Sequence, residues 1–154
     1  MVIKAIDEKL RAEAIKFRGS IIVSRGQVHS INKLPGYVVL IGDEIKGMIT
    51  FHISEGDCEI VSLDSKVGGQ GIGTKLIDLV ISAAREQNCN RVWMITSNDN
   101  IRTIRFYQKR GFDMKAVHQN AITEARKIKP SIPMAGFDGI PIRHEIEFEL
   151  LLGY

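Results

Sequence analysis

Glycine is concentrated where an amphipathic segment begins, in the stretch KVGGQGIGTKLIDLVISAA of residues 66–84. The glycines are Gly68, Gly69, Gly71 and Gly73. Each costs a helix about 1 kcal/mol relative to alanine, so a local reason is required. A backbone without side chains can approach a ligand closely, and free N–H groups at a helix start attract anions. The stretch therefore predicts a phosphate cradle over residues 69–74, and a tight packing corner is the alternative.

Other phosphate and metal motifs do not fit the chain. A P-loop requires GxxxxGK followed by Ser or Thr, and the lysine here follows Gly73 and Thr74 without that frame. A dinucleotide fingerprint places GxGxxG after the first strand of a βαβ unit, whereas these glycines follow several predicted strands. The two cysteines lie far apart and the four histidines lack ligand spacing, so no metal site is predicted.

The elements that would position the cradle follow from hydrophobic periodicity. The predicted strands are residues 2–6, 21–23, 37–41, 45–53, 58–63, 91–96, 112–118 and 142–152. The predicted helices are residues 7–17, 72–84 and 120–128, with a further one from a cap within residues 97–100 to residue 109. A strand, helix and neighbouring strand imply a right-handed parallel crossover, so the fold class is α/β with one mixed sheet. The last strand alternates in HEIEFEL, which predicts one solvated face.

Length and composition bound the class of protein. The chain of 154 residues fits one domain, taken as residues 1–154, and 44% hydrophobic with 25% charged residues is an ordinary globular balance. A net charge of +3 is too small to indicate nucleic acid, although it suits an anionic ligand. There is no apolar signal region and no run of ~18 apolar residues, so a cytoplasmic protein without a membrane partner is expected.

Two motifs, in their order along the chain, resemble those of the GNAT family of N-acetyltransferases. Residues 69–74, GQGIGT, look like the family's acyl-CoA pyrophosphate loop, R/Q-x-x-G-x-G/A. Residues 100–112, NIRTIRFYQKRGF, are similar to its NxxAxxFYxxxGF pattern. The likeness is strongest over residues 61–112. It implies a single GNAT domain with a mixed, mostly antiparallel sheet, a central parallel pair of strands that splay apart, and flanking helices.

The loop departs from the family pattern at its head. Gly68 stands where the family usually has Arg or Gln, and Thr103 replaces the alanine of the second motif. Backbone amides can still bind a pyrophosphate, with Lys66 or Lys75 replacing some of the missing charge. The departure keeps open a second function, a catalytically weak acyl-CoA-binding sensor or partner module of the same fold.

The resemblance implies that the cosubstrate is acetyl-CoA and that no metal takes part. In the family the pantetheine arm fills the gap between two parted parallel strands, and here the Leu63 N–H would polarise the thioester carbonyl. Asn100 would contact pantetheine or phosphate while also capping its helix. The implied cofactor-binding residues are Val61, Ser62, Leu63, Gly69, Gln70, Gly71, Ile72, Gly73, Thr74, Asn100 and Tyr107.

The same resemblance implies a catalytic acid, and the predicted strand before the loop offers candidates for a base. Tyr107 matches the family's general acid, because a phenol with an ordinary pKa of about 10 is protonated at pH 7. A core tyrosine beside Ile104 is the alternative. Asp57 and Glu59 alternate on one strand, so either could serve as a base or both could be solvated; Glu59 is taken as the catalytic carboxylate. The implied reaction moves an acetyl group from acetyl-CoA to a primary amine by direct attack in a ternary complex.

Three further features have open interpretations. A basic stripe, formed by Arg102, Arg105, Lys109 and Arg110, is a solvated face or else meets the nucleotide phosphates. Residues 121–143 resemble the C-terminal region of a bacterial subset of the family, either as a fixed lid over the acceptor end or as a covering of the sheet edge. Trp93 is expected in the core. A homodimer could form through an edge strand such as HEIEFEL.

Overall fold

A computed structural model describes residues 1–153, so Tyr154 of the expected domain lies outside the described part. The strands are β1 Val2–Ala5, β2 Ile21–Ser24, β3 Gln27–Ser30, β4 Gly36–Ile41, β5 Glu44–Ser54, β6 Asp57–Ser65, β7 Arg91–Ser97, β8 Asp113–His118 and β9 Glu145–Leu151. The helices are α1 Glu8–Arg18, α2 Ile72–Glu86, α3 Ile101–Lys109 and α4 Ala121–Ala125. One seven-stranded sheet has the order β1-β4-β5-β6-β7-β9-β8, and β2 and β3 form a separate hairpin. The expected α/β fold with a mixed sheet is confirmed.

Helices cover both faces of this sheet. On one face, Leu76, Ile77 and Val80 of α2 are fully buried in a cluster that also contains Tyr107 of α3. On the other face, Ala14 of α1 packs in a second cluster with the β2 residue Ile22. The 3.6-residue spacing of the apolar positions in α2 places them on the side that meets the sheet. None of the helices within residues 1–153 is long and apolar enough to cross a membrane.

The two central strands run parallel and then part. β6 pairs with β7 only from Asp57↔Arg91 to Ile60↔Met94, and every other strand pair is antiparallel. Immediately beyond, Val61 is an extra residue in β6, because β5 pairs with Ile60 and then with Ser62. Such a bulge bends the strand that carries it. β7 meanwhile stays paired to β9, so β6 turns away from it and a gap opens between them.

The last strand differs from its expectation in two respects. β9 lies between β7 and β8, so HEIEFEL is not an edge, and the sheet edges are β1 and β8. Its charged face is also buried: Glu145 is 1% exposed and Glu147 9%. Arg91 donates to Glu147 at 2.8 Å and to Glu149 at 3.0 Å, and it also donates to Asp57 at 3.1 Å. The alternating pattern predicted that water would solvate this face of β9, and neighbouring cationic side chains take the place of that water.

The expectation for Trp93 was also wrong. Its ring is only half-buried, and the Arg91 guanidinium lies over it at 5.2 Å from the ring centroid. Val92 and Met94, on either side, point into the opposite core cluster. Because side chains alternate along a strand, Trp93 falls on the face that carries the charged network rather than on the α2 face.

We expect Arg91→Met to lower the free energy of unfolding by about 2 kcal/mol at neutral pH, since it leaves partly buried carboxylates without their guanidinium. Burial by itself would raise the pKa of Glu147, but hydrogen bonds from Arg91 and His118 outweigh it and lower that pKa. A lowered folded pKa stabilises the protein above the unfolded value of about 4.3, and this contribution is lost as pH falls through the folded pKa. The difference in the free energy of unfolding between variant and wild type, measured by urea unfolding, should therefore become smaller in acid.

A surface ion pair provides the control for that comparison. Lys127 and Glu124 lie 2.9 Å apart with both side chains mostly exposed. Lys127→Met should change the free energy of unfolding by less than about 0.5 kcal/mol at either pH. Equal losses in the Arg91 and Lys127 variants would contradict a buried network around β9.

Candidate active site

The gap between β6 and β7 opens into a cavity of about 1180 Å³. Its walls come from the parted strands, the loop before α2, the exposed side of α3, the β2–β3 hairpin and the segment of residues 121–143. Ten of the predicted cofactor-binding residues line it: Val61, Ser62, Leu63, Gly69, Gly71, Ile72, Gly73, Thr74, Asn100 and Tyr107. Gln70 is the exception, since it is exposed and does not line the cavity. The predicted catalytic Glu59 lines it as well.

The glycines at the start of α2 serve two different purposes. Gly69 and Gly71 adopt left-handed backbone conformations, with φ of +76° and +67°. A Cβ atom at Gly68, Gly69 or Gly71 would meet no heavy atom within 4 Å, so their backbone faces open space at the cavity wall. A Cβ at Gly73 would instead meet the Phe106 ring at 3.0 Å. The first three glycines leave room for a ligand, and Gly73 allows α2 to pack closely on α3.

The first turn of α2, which follows these glycines directly, suits an anion. Gly71 is the N-cap residue of α2, and no side chain caps the first N–H groups of that helix. These amides and the positive end of the helix dipole therefore remain available to a negatively charged group. Diphosphates bind to helix starts of this kind elsewhere. The open cradle fits the pyrophosphate of a coenzyme A thioester.

Basic side chains also contribute to the cavity wall. They are Arg18, Arg102, Arg105, Lys109 and Arg110. The last four form the basic stripe of α3 and its C-cap residue, so that stripe borders the cavity as well as solvent. Lys66 and Lys75, proposed as substitutes for the missing loop side chain, do not line this cavity: Lys66 lies over the Phe17 ring instead. Arg110 donates to Thr74 at 2.9 Å and is thereby fixed beside the loop.

Tyr107 occupies the inner wall of the cavity. Its ring packs edge-to-face on Phe106 and Phe112, with centroids 5.4 Å and 5.1 Å away. Burial raises the pKa of Tyr107 above the ordinary phenol value, and the nearby Asp64 carboxylate raises it further. The phenol is thus both a core residue and a protonated hydroxyl group at the cavity. The two interpretations of this residue are compatible.

Asn100 and Ser62 already have partners inside the protein. The Asn100 side chain accepts a hydrogen bond from the Thr103 N–H at 3.3 Å and caps α3. The Ser62 hydroxyl lies 2.6 Å from that of Thr50 within the core. A ligand in the gap would therefore meet the backbone of β6 rather than the Ser62 side chain. That backbone edge is not paired to β7 beyond Ile60.

The structure separates the two candidate carboxylates. Glu59 is 3% exposed, lines the cavity, and accepts a hydrogen bond from the Ser24 hydroxyl at 2.6 Å. His29 Nε2 lies 3.3 Å from the other carboxylate oxygen of Glu59. Asp57 is bound instead by Arg91 and does not line the cavity. Of the pair on β6, Glu59 lines the cavity and Asp57 does not.

Sequence reasoning predicted β2 but missed β3, and so missed the hairpin that the two strands form as well as the position of Glu145 at the cavity. The hairpin turn consists of Arg25 and Gly26, with φ of +50° and +74°. Glu145 lines the cavity and holds this turn, accepting from the Arg25 guanidinium at 3.1 Å and from its backbone N–H at 3.2 Å. The glycine in SRGQ between two short alternating runs was the available signal for a two-residue hairpin. Nothing local indicated its contact with a residue 120 positions away.

The segment of residues 121–143 forms the far wall of the cavity. Ile122, Ile132 and Ile142 line it. Arg126 holds the segment's shape by donating to the carbonyl oxygens of Ile132, Pro133 and Ile142, at 3.2, 2.6 and 2.6 Å. The helix within it is shorter than expected, Ala121–Ala125, and a 3-10 turn follows at Phe137–Gly139. Its contact with the cavity supports the lid interpretation over a mere covering of the sheet edge.

The cysteines take no part in the cavity. Cys58 and Cys89 are free and fully buried. Burial raises the pKa of Cys58 to about 12, with smaller contributions from Cys89 and Glu59. A protonated buried thiol is a poor nucleophile.

Parted parallel strands beside a glycine-rich helix start define the fold of a GNAT acetyltransferase. The chain belongs to that family: the family model described as "Acetyltransferase (GNAT) family" matches residues 8–112. It is 43% identical over 126 residues to the uncharacterized protein YxbD of Bacillus subtilis strain 168, covering 81% of this chain and 79% of that one.

Solved structures show the same fold. The IAA acetyltransferase from Bacillus cereus ATCC 14579 superposes with a TM-score of 0.75 at 17% identity, covering 98% of this chain and 99% of that one. A Bacillus subtilis acetyltransferase in complex with CoA superposes with a TM-score of 0.71 at 18% identity, covering 98% of each chain. At these identities the likeness concerns the fold.

Proposed function

We propose that this protein transfers an acetyl group from acetyl-CoA to a primary amine, by direct attack of the amine within a ternary complex. The observation that carries the proposal is a single cavity that joins three features. They are the open glycine cradle, the buried hydroxyl group of Tyr107 and the buried carboxylate of Glu59. Membership of the family supports acetyl transfer in general.

The cosubstrate supplies the thioester acyl group, and the chain's own residues bind and orient it. Backbone amides at residues 69–74 and the cations of α3 would hold the phosphates, because bare N–H groups and guanidinium groups both prefer anions. The unpaired edge of β6 at Val61, Ser62 and Leu63 would bind the pantetheine arm as an added strand. The Leu63 N–H is proposed to polarise the thioester carbonyl.

The proton transfers are assigned to two side chains. Glu59 would take a proton from the acceptor ammonium, directly or through water, so that the neutral amine can attack. Tyr107 would give its phenolic proton to the departing sulfur, and the second proton of the attacking nitrogen would pass to the resulting phenolate, directly or through water, which restores the acid. The raised pKa of Tyr107 keeps the phenol protonated before the transfer. The cavity wall formed by residues 121–143 would keep bulk water from the reacting atoms.

Release of free CoA thiol tests the proposal. Purified protein with acetyl-CoA and a panel of primary amines should release thiol in proportion to acetylated amine, identified by mass. Reactions without amine provide the control. If CoA binds tightly but no amine stimulates thiol release, the acetyl transfer is contradicted. The protein would then be the acyl-CoA sensor, the second function that the missing side chain at Gly68 suggested.

A further inference from the structure

The cavity is lined by charges of both signs. Its lining cations are Arg18 and the basic stripe of Arg102, Arg105, Lys109 and Arg110, of which Arg110 is bound to Thr74 of the cradle. Carboxylates that line it within residues 1–153 are Glu59, Asp64 and Glu145. Asp64 lies 2.9 Å from Arg18, so it belongs with the cations. Glu59 and Glu145 instead contact the hairpin, through Ser24 and Arg25.

Only one of these two carboxylates is available to an acceptor. Both oxygens of Glu145 receive hydrogen bonds from Arg25, one from the guanidinium and one from the backbone N–H. Within residues 1–153 Glu59 has no guanidinium or ammonium partner, and its Oε2 accepts a hydrogen bond from Ser24. His29 Nε2 lies 3.3 Å from its Oε1, and that nitrogen forms no hydrogen bond among the described residues. Glu59 therefore keeps one carboxylate oxygen, beside His29, that no described group hydrogen-bonds.

The cavity that Glu59 lines also has an apolar wall. It is formed by Ile22, Ile122, Ile132 and Ile142, which come from the hairpin and from the segment of residues 121–143. Ile22 is two residues from Ser24 on the same face of β2, and Ser24 is bound to Glu59. The Ile122 N–H donates to the Arg143 carbonyl at 2.9 Å, which places that isoleucine next to the chain leading into Glu145.

Three cations near the same wall already have partners inside the protein, and one of them is Lys129, whose ammonium donates to the Ile21 carbonyl oxygen at 3.2 Å. Arg25 is bound to Glu145, and Arg126 is bound to three carbonyl oxygens inside its own loop. Both guanidinium groups are therefore occupied by other partners. A carboxylate on the acceptor would be desolvated against isoleucines without a partner, which is strongly unfavourable. A hydrocarbon body would instead gain from the same surface.

We propose that the acceptor is a primary amine with a single ammonium group and an uncharged, apolar body, and that Glu59 with the isoleucine wall selects it. This proposal rests on the proposed function, because it concerns the acceptor end of the same site. Amino acids, peptides that bring a carboxylate to the wall, and diamines are excluded as preferred acceptors.

Three amines of equal chain length test the selection: hexylamine, 6-aminohexanoate and 1,6-diaminohexane. Their binding is measured by calorimetry on the protein saturated with CoA, which needs no turnover, and their kcat/KM is measured with acetyl-CoA. Hexylamine should bind at least about 30-fold more tightly than 6-aminohexanoate. It should also bind more tightly than 1,6-diaminohexane. From butylamine to hexylamine, affinity should rise about fourfold per methylene group.

Matched variants locate the effect. Ile132→Asn should reduce the gain per methylene group and leave CoA affinity unchanged. Ile128→Asn is the control, because Ile128 is on the same segment, is 47% exposed and does not line the cavity. Glu59→Gln should weaken binding of all the amines, including the shortest.

Each outcome decides a separate question. Equal or better binding of 6-aminohexanoate, a flat alkyl series, or a preference for the diamine would overturn the proposed selectivity. A preferred diamine would show that Glu145 exchanges Arg25 for a second ammonium. Selective hexylamine binding without thiol release would leave the selectivity standing and overturn the acetyl transfer. Rapid acetylation of amino acids would support the acetyl transfer and overturn the proposed selectivity.

Discussion

Replacing Tyr107 by phenylalanine is expected to lower kcat by about 100- to 1,000-fold while changing CoA affinity less than about threefold, since a positioned general acid typically contributes 10²–10⁴ to the rate. The substitution removes one oxygen atom from the cavity wall. The ring contacts with Phe106 and Phe112 remain, so the fold should be retained. The missing proton donor would leave the departing thiolate without stabilisation in the transition state.

Tyr37→Phe is the matched control, because Tyr37 also stacks on a core ring, Phe51, but does not line the cavity. It should leave kcat unchanged. A pH profile adds a second test: a raised pKa of Tyr107 extends the range of its protonated form upward, so wild-type kcat should not fall near the ordinary phenol pKa of about 10. Wild-type kcat in the Tyr107 variant would remove the acid role.

Placing valine at Gly71 should weaken CoA binding by about 100-fold. The side chain would occupy the open space beside the loop and separate a diphosphate from the amides at the start of α2. Losing two hydrogen bonds to a charged group removes roughly 3 kcal/mol, which corresponds to that factor in affinity. Calorimetric titration of CoA into the folded variant measures the loss.

Valine at Gly71 would also strain the backbone, because a non-glycine residue at positive φ costs about 1–2 kcal/mol. The effect of this strain on the fold must be separated from the exclusion of CoA by the added side chain. Gly42, in the turn between β4 and β5, provides the control. Its φ is +62°, against +67° for Gly71, and neither position has a heavy atom within 4 Å of an added Cβ. Gly42→Val and Gly71→Val should lose similar stability on urea unfolding. If both bind CoA like the wild type, the cradle is not the phosphate site.

Most of the elements could be predicted because their signals are local. Residues 37–41, 45–53 and 58–63 are mainly apolar runs bounded by turn residues, and the observed strands β4, β5 and β6 extend them by a few residues at most. Helix α2 begins at Ile72 as its glycine start and apolar stripe predicted. The β3 strand was missed because its four residues, QVHS, are polar apart from one valine.

The charged alternation of HEIEFEL shows why a local pattern can mislead. A strand whose glutamates alternate with apolar residues is usually half solvated. Here Arg25, Arg91 and His118 come from three other elements and bind those glutamates, so the strand lies inside the sheet. The pairing partners are distant in sequence, and no local pattern specifies them.

The amino-acid sequence by itself determined the class of site. Its signals are the glycines before α2, the Asn100 cap of α3 and Tyr107 within α3, and these depend on local backbone conformation and short spacing along the chain. Only the tertiary structure decided which carboxylate reaches the cavity and what surrounds it. Asp57 and Glu59 are equivalent in the sequence, yet Arg91 binds one and the Ser24 hydroxyl of a separate hairpin binds the other. Contacts between residues far apart in the chain are fixed by packing, so the acceptor end of the site depends on the whole fold.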